Sequence, residues 1–477
     1  MIRIVGLDVG TSSVKGLAVD ESGAVLAVAE RTYPLSTPRP GWSEQDPEDW
    51  WRASVEVLEE LGADRCHGIG LSGQMHGLVA LGADDTPLRP AILWNDGRTQ
   101  AQCEQIEERL GRERLLELTG NRALAGFTAP KLLWLREHEP DVYGRIEHVL
   151  LPKDYVRMRL CGERAIDVAD ASGTLLFDVA ARAWSDELLE ALEIPRAWLP
   201  RVLESPEVSG VTSGGVPVAA GAGDQAAGAL GVGVTAAGGP ASVVLGTSGV
   251  VFAALDEYAH DPEGRLHAFC HALPGCWHLM GVMLSAAGSL DWLRRSVGGT
   301  FAELADGAAA WEPGAEGLLF APYLAGERTP HPDPGARGAF VGLSLRHDKG
   351  ALARAVLEGV AFGLRDALDL VAEVEAGDGP AVGRASGGGT RSDLWLEILA
   401  AVLELPLEVT AVDEGAAYGA ALLGGVAAGV FPDAASAARD CVRVTRTIEP
   451  RADWVEAYAP RRAAFRGLYP AVRPFSA

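Results

Sequence analysis

The chain has 477 residues, 48% of them hydrophobic and 22% charged, and a net charge of −24. That length exceeds one compact core, so two or three globular domains are expected; neither a disordered nor a fibrous chain has this composition. The acidic balance excludes a nucleic-acid partner, which needs clustered Lys and Arg, but not a small anion held by a few backbone N–H groups.

The chain enters a strand pattern at once, without the basic and apolar stretches of an export leader. Its six cysteines are scattered and contain no C-x-x-C, which fits reduced thiols in the cytoplasm. Ile2, Ile4, Val5 and Leu7 lead to Asp8. Gly10-Thr11-Ser12-Ser13 follows, then Val14 to Val19, a turn at Asp20 to Gly23, and Ala24 to Ala29, which reads as three strands joined by tight turns. The Gly10-Thr11-Ser12 turn offers backbone N–H groups and hydroxyls. It can cradle phosphate while Asp8, at the end of the first strand, holds a hydrated cation beside it. The other reading is a plain hairpin with a surface Asp; the P-loop spacing is absent.

Asp46 to Leu61 has helical spacing, with Pro47 in the first turn. Gly68 to Ser72 is strand-like and runs into Gly73-Gln74-Met75-His76-Gly77. Pro90 to Leu93 runs likewise into Trp94-Asn95-Asp96-Gly97-Arg98. Polar side chains in Gly-bounded turns after strands are where α/β proteins build ligand sites, although each such His or Trp taken singly is more often structural. Residues 126–138 are expected to be a turn feeding a helix through Pro130. Lys153-Asp154 and Asp167 to Thr174 carry little signal, and Pro195 to Val211 suits the approach to a domain boundary. In Val216 to Gly231 an apolar strand meets Gly221-Ala222-Gly223, then Asp224, then a tightly packed helix start. Small residues let a ligand come close to that carboxylate, but Asp is also a favoured helix N-cap, so Asp224 is either a cap or a catalytic group.

Val244-Leu245-Gly246-Thr247-Ser248-Gly249-Val250-Val251 repeats the first hairpin turn halfway along the chain, with Val244 where Asp8 stands. Duplication at this length means two related domains, of which only the first keeps the carboxylate. His267, Cys270, His271, Cys276 and His278 crowd together, but their spacing matches no structural zinc pattern, and a hairpin of alternating residues explains them. Phe320 to Pro330 reads as a long ordered loop. Residues 351–370 read as a helix with a small face at Ala355, Gly359 and Gly363. Gly387-Gly388-Gly389 and Ser392 lie in a strand-to-helix turn that suits a nucleotide, because no side chain blocks the backbone N–H groups. The helix from Glu414 to Gly429 is expected to close the second domain. The longest uncharged run, Gly415 to Pro432, suits a buried helix better than a membrane span. The tail from Pro432 is expected to pack across the surface.

Together these motifs resemble the FGGY family of carbohydrate kinases, and within it the xylulokinase branch, over nearly the whole chain. Residues 126–138, with Lys131 and Trp134, fit one family signature. Residues 338–358 fit the other, except that Ala351 stands where a polar residue is usual. Gly41 to Pro47, Gly73 to Gly77, Trp94 to Arg98, Phe127 to Lys131 and Gly326 to His331 are the more specific likenesses.

The resemblance implies an α/β fold of two ribonuclease H-like, actin- or hexokinase-like domains around a central cleft. Residues 1–237 would form the sugar and phosphate side, 238–431 the nucleotide side, and 432–477 a tail packed on both. It implies ATP-dependent phosphorylation of D-xylulose to D-xylulose 5-phosphate. Asp224 would be the general base and Asp8 the carboxylate toward Mg2+, through water. Met75, His76, Trp94, Asp96 and Gln225 would contact the sugar, with Gln225 where some relatives carry Asn. Gly10, Thr11, Ser12, Lys15, Gly246, Thr247, Ser248, Gly387, Gly388, Gly389 and Ser392 would hold the nucleotide. A homodimer is the default assembly. The alternatives are a kinase of the same fold for another ketose or polyol, such as ribulose or gluconate, and a sugar-independent actin-like ATPase switch.

Overall fold

This computed structural model describes residues 2–377, 379–412 and 414–475; Ser476 and Ala477 of the tail lie outside them. Two seven-stranded sheets organise them. The first has the order Val25–Thr32, Ser13–Val19, Ile4–Val9, Gly68–Gly73, Pro217–Ala219, Val208–Val211, with Ala222–Gly223 paired to the end of Gly68–Gly73. The second runs Trp277–Met283, Gly249–Leu255, Ala241–Leu245, Gly383–Ser386, Leu407–Thr410, Val444–Ile448, with His267–Cys270 added outside the first of these. Apart from the added strand, each sheet has three antiparallel strands, two parallel ones and an antiparallel edge strand. Both first hairpins turn at Gly-Thr-Ser. The duplication legible in the sequence is thus a duplication of topology, the expected pair of ribonuclease H-like units.

The central strand of the first sheet is a continuous apolar run because both its faces are covered. Ile4, Val5, Leu7 and Val9 are all fully buried. Trp50, Val57 and Leu61, from the helix Pro47–Glu60 and its cap, cover one face. Asp46 caps that helix by accepting the Glu48 N–H at 3.0 Å.

The other face is covered by the helix Gly415–Ala427, which was expected to close the second domain and packs on the sheet of the first. It lies against Ile4–Val9, Gly68–Gly73 and the helix Asp224–Gly231. The sequence allows this because the meeting surfaces carry no side chain. A Cβ on Gly70 would stand 1.8 Å from the Ala420 carbonyl oxygen, and one on Gly6 would stand 2.0 Å from that of Ala417. The late helix therefore ties the end of the second half of the chain to the sheet of the first.

Two further segments differ from expectation. Pro195 to Val211 is no boundary: Val208–Val211 is the edge strand of the first sheet. The tail is not merely superficial. Val444–Ile448 completes the second sheet, and Trp454, Tyr458 and Phe465 of the helix Ala452–Arg466 enter the core beneath it. There the Tyr458 hydroxyl donates to Glu358 at 2.9 Å and accepts from Arg354 at 2.6 Å. The helix Lys349–Glu375 carries the small face expected of it, with a Cβ on Gly359 falling 2.4 Å from the Phe320 carbonyl oxygen. Ala351, the departure from the family signature, is buried in its first turn, and its N–H is capped by Asp348 at 3.0 Å. Leu319–Ala321, at the start of the long loop, pairs with Ala339–Val341. The histidine-rich stretch is the expected hairpin, with His267 opposite Met280. Among the described residues no helix is long and apolar enough to cross a membrane.

Candidate active site

Parallel strands deliver their C-terminal residues to the same sheet end, and the site begins there. In register, Asp8 lies beside Ser72 and Val9 beside Gly73, while Ala222 and Gly223 lie on the other side of the same two residues. Asp8, the Gly73 turn and Asp224 thus leave three neighbouring strand ends together. Burial raises the Asp8 carboxyl to about 7, with the Asp224 charge adding to the rise. Asp8 Oδ1 is buried and makes no hydrogen bond among the described residues. Burial likewise raises Asp224 to about 6, opposed by the Gln225 N–H it accepts at 2.8 Å. Asp224 is not the N-cap. That position is Gly223, and Asp224 is the first residue of the helix Asp224–Gly231, its carboxylate turned back onto the next N–H.

Two interacting carboxyls near neutrality give a pH prediction. A base must be ionised to accept a proton, so kcat/KM should fall as pH drops through about 7 to 6 with the pair's macroscopic titration. A pH–rate profile level from pH 8 to 5 would remove these carboxyls from the chemistry.

The Gly73–Gly77 turn supplies the next wall. Met75 packs against Gly223, where a Cβ would lie 2.6 Å from Met75 Cγ, so its side chain is next to the residue that precedes Asp224. His76 has a φ of 68°, a conformation held by surrounding bonds. Its carbonyl oxygen accepts from Lys131 Nζ at 2.8 Å and Thr128 Oγ1 at 3.1 Å, which gives the signature lysine a structural task. Burial holds the His76 ring well below its usual range and therefore neutral. Nδ1 lies 2.7 Å from the Gly173 carbonyl oxygen and so carries the hydrogen, leaving Nε2 an acceptor for a hydroxyl. Phe127 stacks on the ring at 4.4 Å.

The Trp94–Arg98 turn divides in its uses. Trp94 Nε1 donates to Thr11 Oγ1 at 2.9 Å and so fastens the first Gly-Thr-Ser turn to the Trp94–Arg98 turn. Gln45 Nε2 donates to the Thr11 carbonyl oxygen at 2.6 Å, and Gln74 Nε2 to that of Gly10 at 3.3 Å. Asp96 is a correction to the expected sugar contact. It is buried with its oxygens filled: Arg98 grips it at 2.9 and 2.7 Å, and the Ser43 and Arg98 N–H groups donate at 2.6 and 3.0 Å. The Arg98 guanidinium in turn lies 3.6 Å from the centre of the Trp42 ring. The Gly41–Pro47 and Trp94–Arg98 motifs therefore belong to one ion-paired, aromatic-backed clamp. Gln225 is half-buried in the first helical turn beside Asp224.

In the second half of the chain a cavity of about 730 Å³ gathers Gly246, Thr247, Gly388, Gly389 and Ser392. Gly10, Thr11, Ser12 and Lys15 are not among its walls. Lys15 lies opposite Asp8 across the hairpin and pairs with Glu414 at 3.2 Å; Ser12 is exposed in the first turn. Ser248 and Gly387 adjoin the cavity without lining it, and Gly387, at a φ of 89°, lets the turn press on the Leu245 carbonyl. Ser392 is also the N-cap of the helix Asp393–Leu403, accepting from the Trp395 N–H at 3.3 Å. Much of the remaining wall, including Ala287, Gly288, Leu290 and Phe301, was missed from the sequence. The run of small residues after the strand Trp277–Met283 was the available signal. Their position follows from the backbone, since Ala287 and Gly288 N–H donate to the Gly246 and Thr247 carbonyls at 2.9 and 3.1 Å. In the Gly326–His331 motif, buried Glu327 accepts from the Leu284 and Arg328 N–H groups at 2.9 and 2.8 Å, and burial raises it to about 8.

A duplicated α/β fold with ionisable carboxyls at one sheet end and a glycine-walled cavity on the other half defines a class of two-domain phosphotransferases. The chain belongs to the FGGY family of carbohydrate kinases: the model of the family's N-terminal domain matches residues 3–231 and that of its C-terminal domain residues 241–428. It is 43% identical to the xylulose kinase of Escherichia coli K12, over 99% of this chain and 100% of that one. A crystal structure described as a xyloylose kinase from Brucella ovis superposes with a TM-score of 0.93 at 41% identity, covering 99% and 100% of the two chains. The gluconate kinase of Lactobacillus acidophilus has the same TM-score, 0.93, at 26% identity over 98% of both.

Proposed function

We propose that this sugar kinase transfers the γ-phosphoryl group of ATP to the terminal hydroxyl of D-xylulose, giving D-xylulose 5-phosphate and ADP. The observation that carries this reading is the meeting of Asp8 and Asp224 with Met75 and His76 at one sheet end. The choice of sugar is supported by identity rather than by shape. Xylulose kinases stand at 43% and 41%, whereas the gluconate kinase shares the fold at 26%.

In the reaction Asp224 accepts the hydroxyl proton as that oxygen attacks the γ-phosphorus in line. The bond from phosphorus to the oxygen bridging the β- and γ-phosphates breaks, and ADP leaves. Neutral His76 accepts a hydrogen bond from another hydroxyl through Nε2, and Met75 packs against the sugar's carbon face. The Gly10-Thr11-Ser12 and Gly246-Thr247-Ser248 turns offer N–H groups to the phosphates, with Lys15 beside the first. The 730 Å³ cavity, with Gly388, Gly389 and Ser392 in its wall, suits the adenosine. Asp8 fits Mg2+, because its buried Oδ1 makes no hydrogen bond among the described residues and a hard cation takes oxygen ligands through water. Bound there, Mg2+ would supply charge neutralisation at the phosphates. Asp96 is assigned to holding Arg98 and not to the sugar.

The division at 237/238 is supported by the sheets, whose strands come from 4–223 and from 241–448. A cytoplasmic enzyme fits six cysteines that are all free, and a homodimer fits its size. The test of the whole reading is ADP release against a panel of sugars. Release should require D-xylulose, with ribulose and gluconate giving little. Sugar-independent release would favour the ATPase switch, and equal rates with gluconate would overturn the substrate.

A further inference from the structure

We propose that Lys153 is a positioning residue for phosphoryl transfer, the centre of a buried charge cluster that fixes both the base Asp224 and the sugar-side His76. This rests on the reading of Asp224 as the base. Lys153 Nζ lies 2.6 Å from Asp154 Oδ1, 2.7 Å from Asp167 Oδ2 and 3.1 Å from Asp170 Oδ2, and Arg157 joins Asp154 at 3.1 Å. All five side chains are fully buried. The three carboxylates are close enough together to hold a metal ion, but the ammonium already occupies their centre.

The cluster grips the two segments that matter. Toward the base, Lys153 Nζ, at 3.4 Å, and Arg157 both donate to the Ala220 carbonyl oxygen, at the start of the Gly221–Gly223 turn. Asp170 Oδ1 closes that turn from the far side. A Cβ on Gly223 would lie 2.9 Å from it and 2.6 Å from Met75 Cγ, so the residue before Asp224 is held between Asp170 and Met75. Toward the sugar, Asp167 caps the short helix Val168–Ser172 through Oδ1, accepting from Ala169 and Asp170 N–H at 2.9 and 3.1 Å, while its other oxygen meets Lys153. That helix ends at Gly173, whose carbonyl accepts the His76 ring N–H at 2.7 Å. One ammonium therefore sits at the junction of the two segments.

Electrostatics fits a device rather than packing. Burial alone would depress the Lys153 ammonium, but Asp154, Asp167 and Asp170 hold it above its usual range, so it stays charged. Burial drives the Asp170 carboxyl well above its usual range, against the pull of the Lys153 ammonium. An apolar cluster of equal volume would support the helix Pro152–Cys161 at lower cost. It could not hold a carbonyl by donors or fix a turn by ion pairs.

The test compares Lys153→Met, Lys153→Met with Asp154→Asn, and Asp224→Asn in the full chain. The paired substitution removes one charge of each sign, so it remains informative where Lys153→Met alone fails to fold; circular dichroism and thermal melting monitor the fold. The folded variant should lose about 10–100-fold in kcat, the scale of a small misplacement, with KM for ATP within about twofold of wild type. ADP release should exceed sugar phosphate formed, because the cavity lined by Gly388, Gly389 and Ser392 shares no residue with the cluster. A folded variant with wild-type kcat and one ADP per sugar phosphate overturns the positioning role. If Asp224→Asn also keeps full turnover, the base assignment fails and this proposal with it. If Asp224→Asn alone loses turnover, only the positioning role fails.

Discussion

Asp224→Asn is expected to lose about 10²–10⁴-fold in kcat, the usual worth of a general base, with ATP binding and the fold retained. The amide keeps the shape of the side chain and the Gln225 N–H contact but cannot take the hydroxyl proton. The linkage gives a second readout of the same change. A carboxyl raised in the folded state binds its proton more tightly there than in the unfolded chain. Its contribution to stability is whole below about pH 4 and is lost as pH rises through about 6. Ionising Asp224 at pH 8 therefore strains the native state, the more so because Asp8 is already there. The Asn variant should be more stable than wild type at pH 8, by about 1–3 kcal/mol, and no more stable at pH 4. Calorimetric melting at the two pH values measures this. Near-normal turnover in a folded Asn variant would sink the base assignment, and an unchanged melting difference would sink the account of its environment.

Gly70→Ala should abolish the folded protein or cost more than about 4 kcal/mol, although it adds one methyl group in a strand. The added carbon would stand 1.8 Å from the Ala420 carbonyl oxygen, a backbone atom that no rotamer change can move. Retreat of the helix is blocked from another side, since Gly419 of that helix is as close to the Ala227 carbonyl, at 1.8 Å for a built Cβ. The strand, the crossing helix and the helix that begins with Asp224 are therefore locked as one stack of bare backbones. Gly214→Ala is the control: its Cβ would meet nothing closer than 3.7 Å, and its stability should stay within about 0.5 kcal/mol. Denaturant titration of both checks the argument. A Gly70→Ala protein as stable as the control would mean that the helix does not lie on these strands.

Several candidate site residues could be proposed from the sequence because the signal is local: Gly-Thr-Ser follows an apolar strand in both hairpins, and Met75-His76 sits in a turn at a strand end. Asp96 misled because its turn looks the same whether or not a neighbour takes its oxygens. Arg98 lies two residues on, but the Ser43 N–H that completes the set is 53 residues away. The Lys153 cluster carried little signal for the same reason. Its members come from one helix and from the cap and first turn of another, and mean nothing until Lys153, Asp167 and Asp170 point at one another.

The sequence by itself determined the strands of the duplicated hairpin, with a carboxylate in only one copy, and the small-faced helices. Each follows from periodicity and turn chemistry within a few residues. Only the tertiary structure decided that Gly415–Ala427 lies on the first sheet, that the tail completes the second, and that Asp224 begins its helix instead of capping it. It also decided which carboxyls are pushed toward neutrality. Those outcomes depend on what is buried against what, and burial is a property of distant segments brought together, which no local pattern encodes.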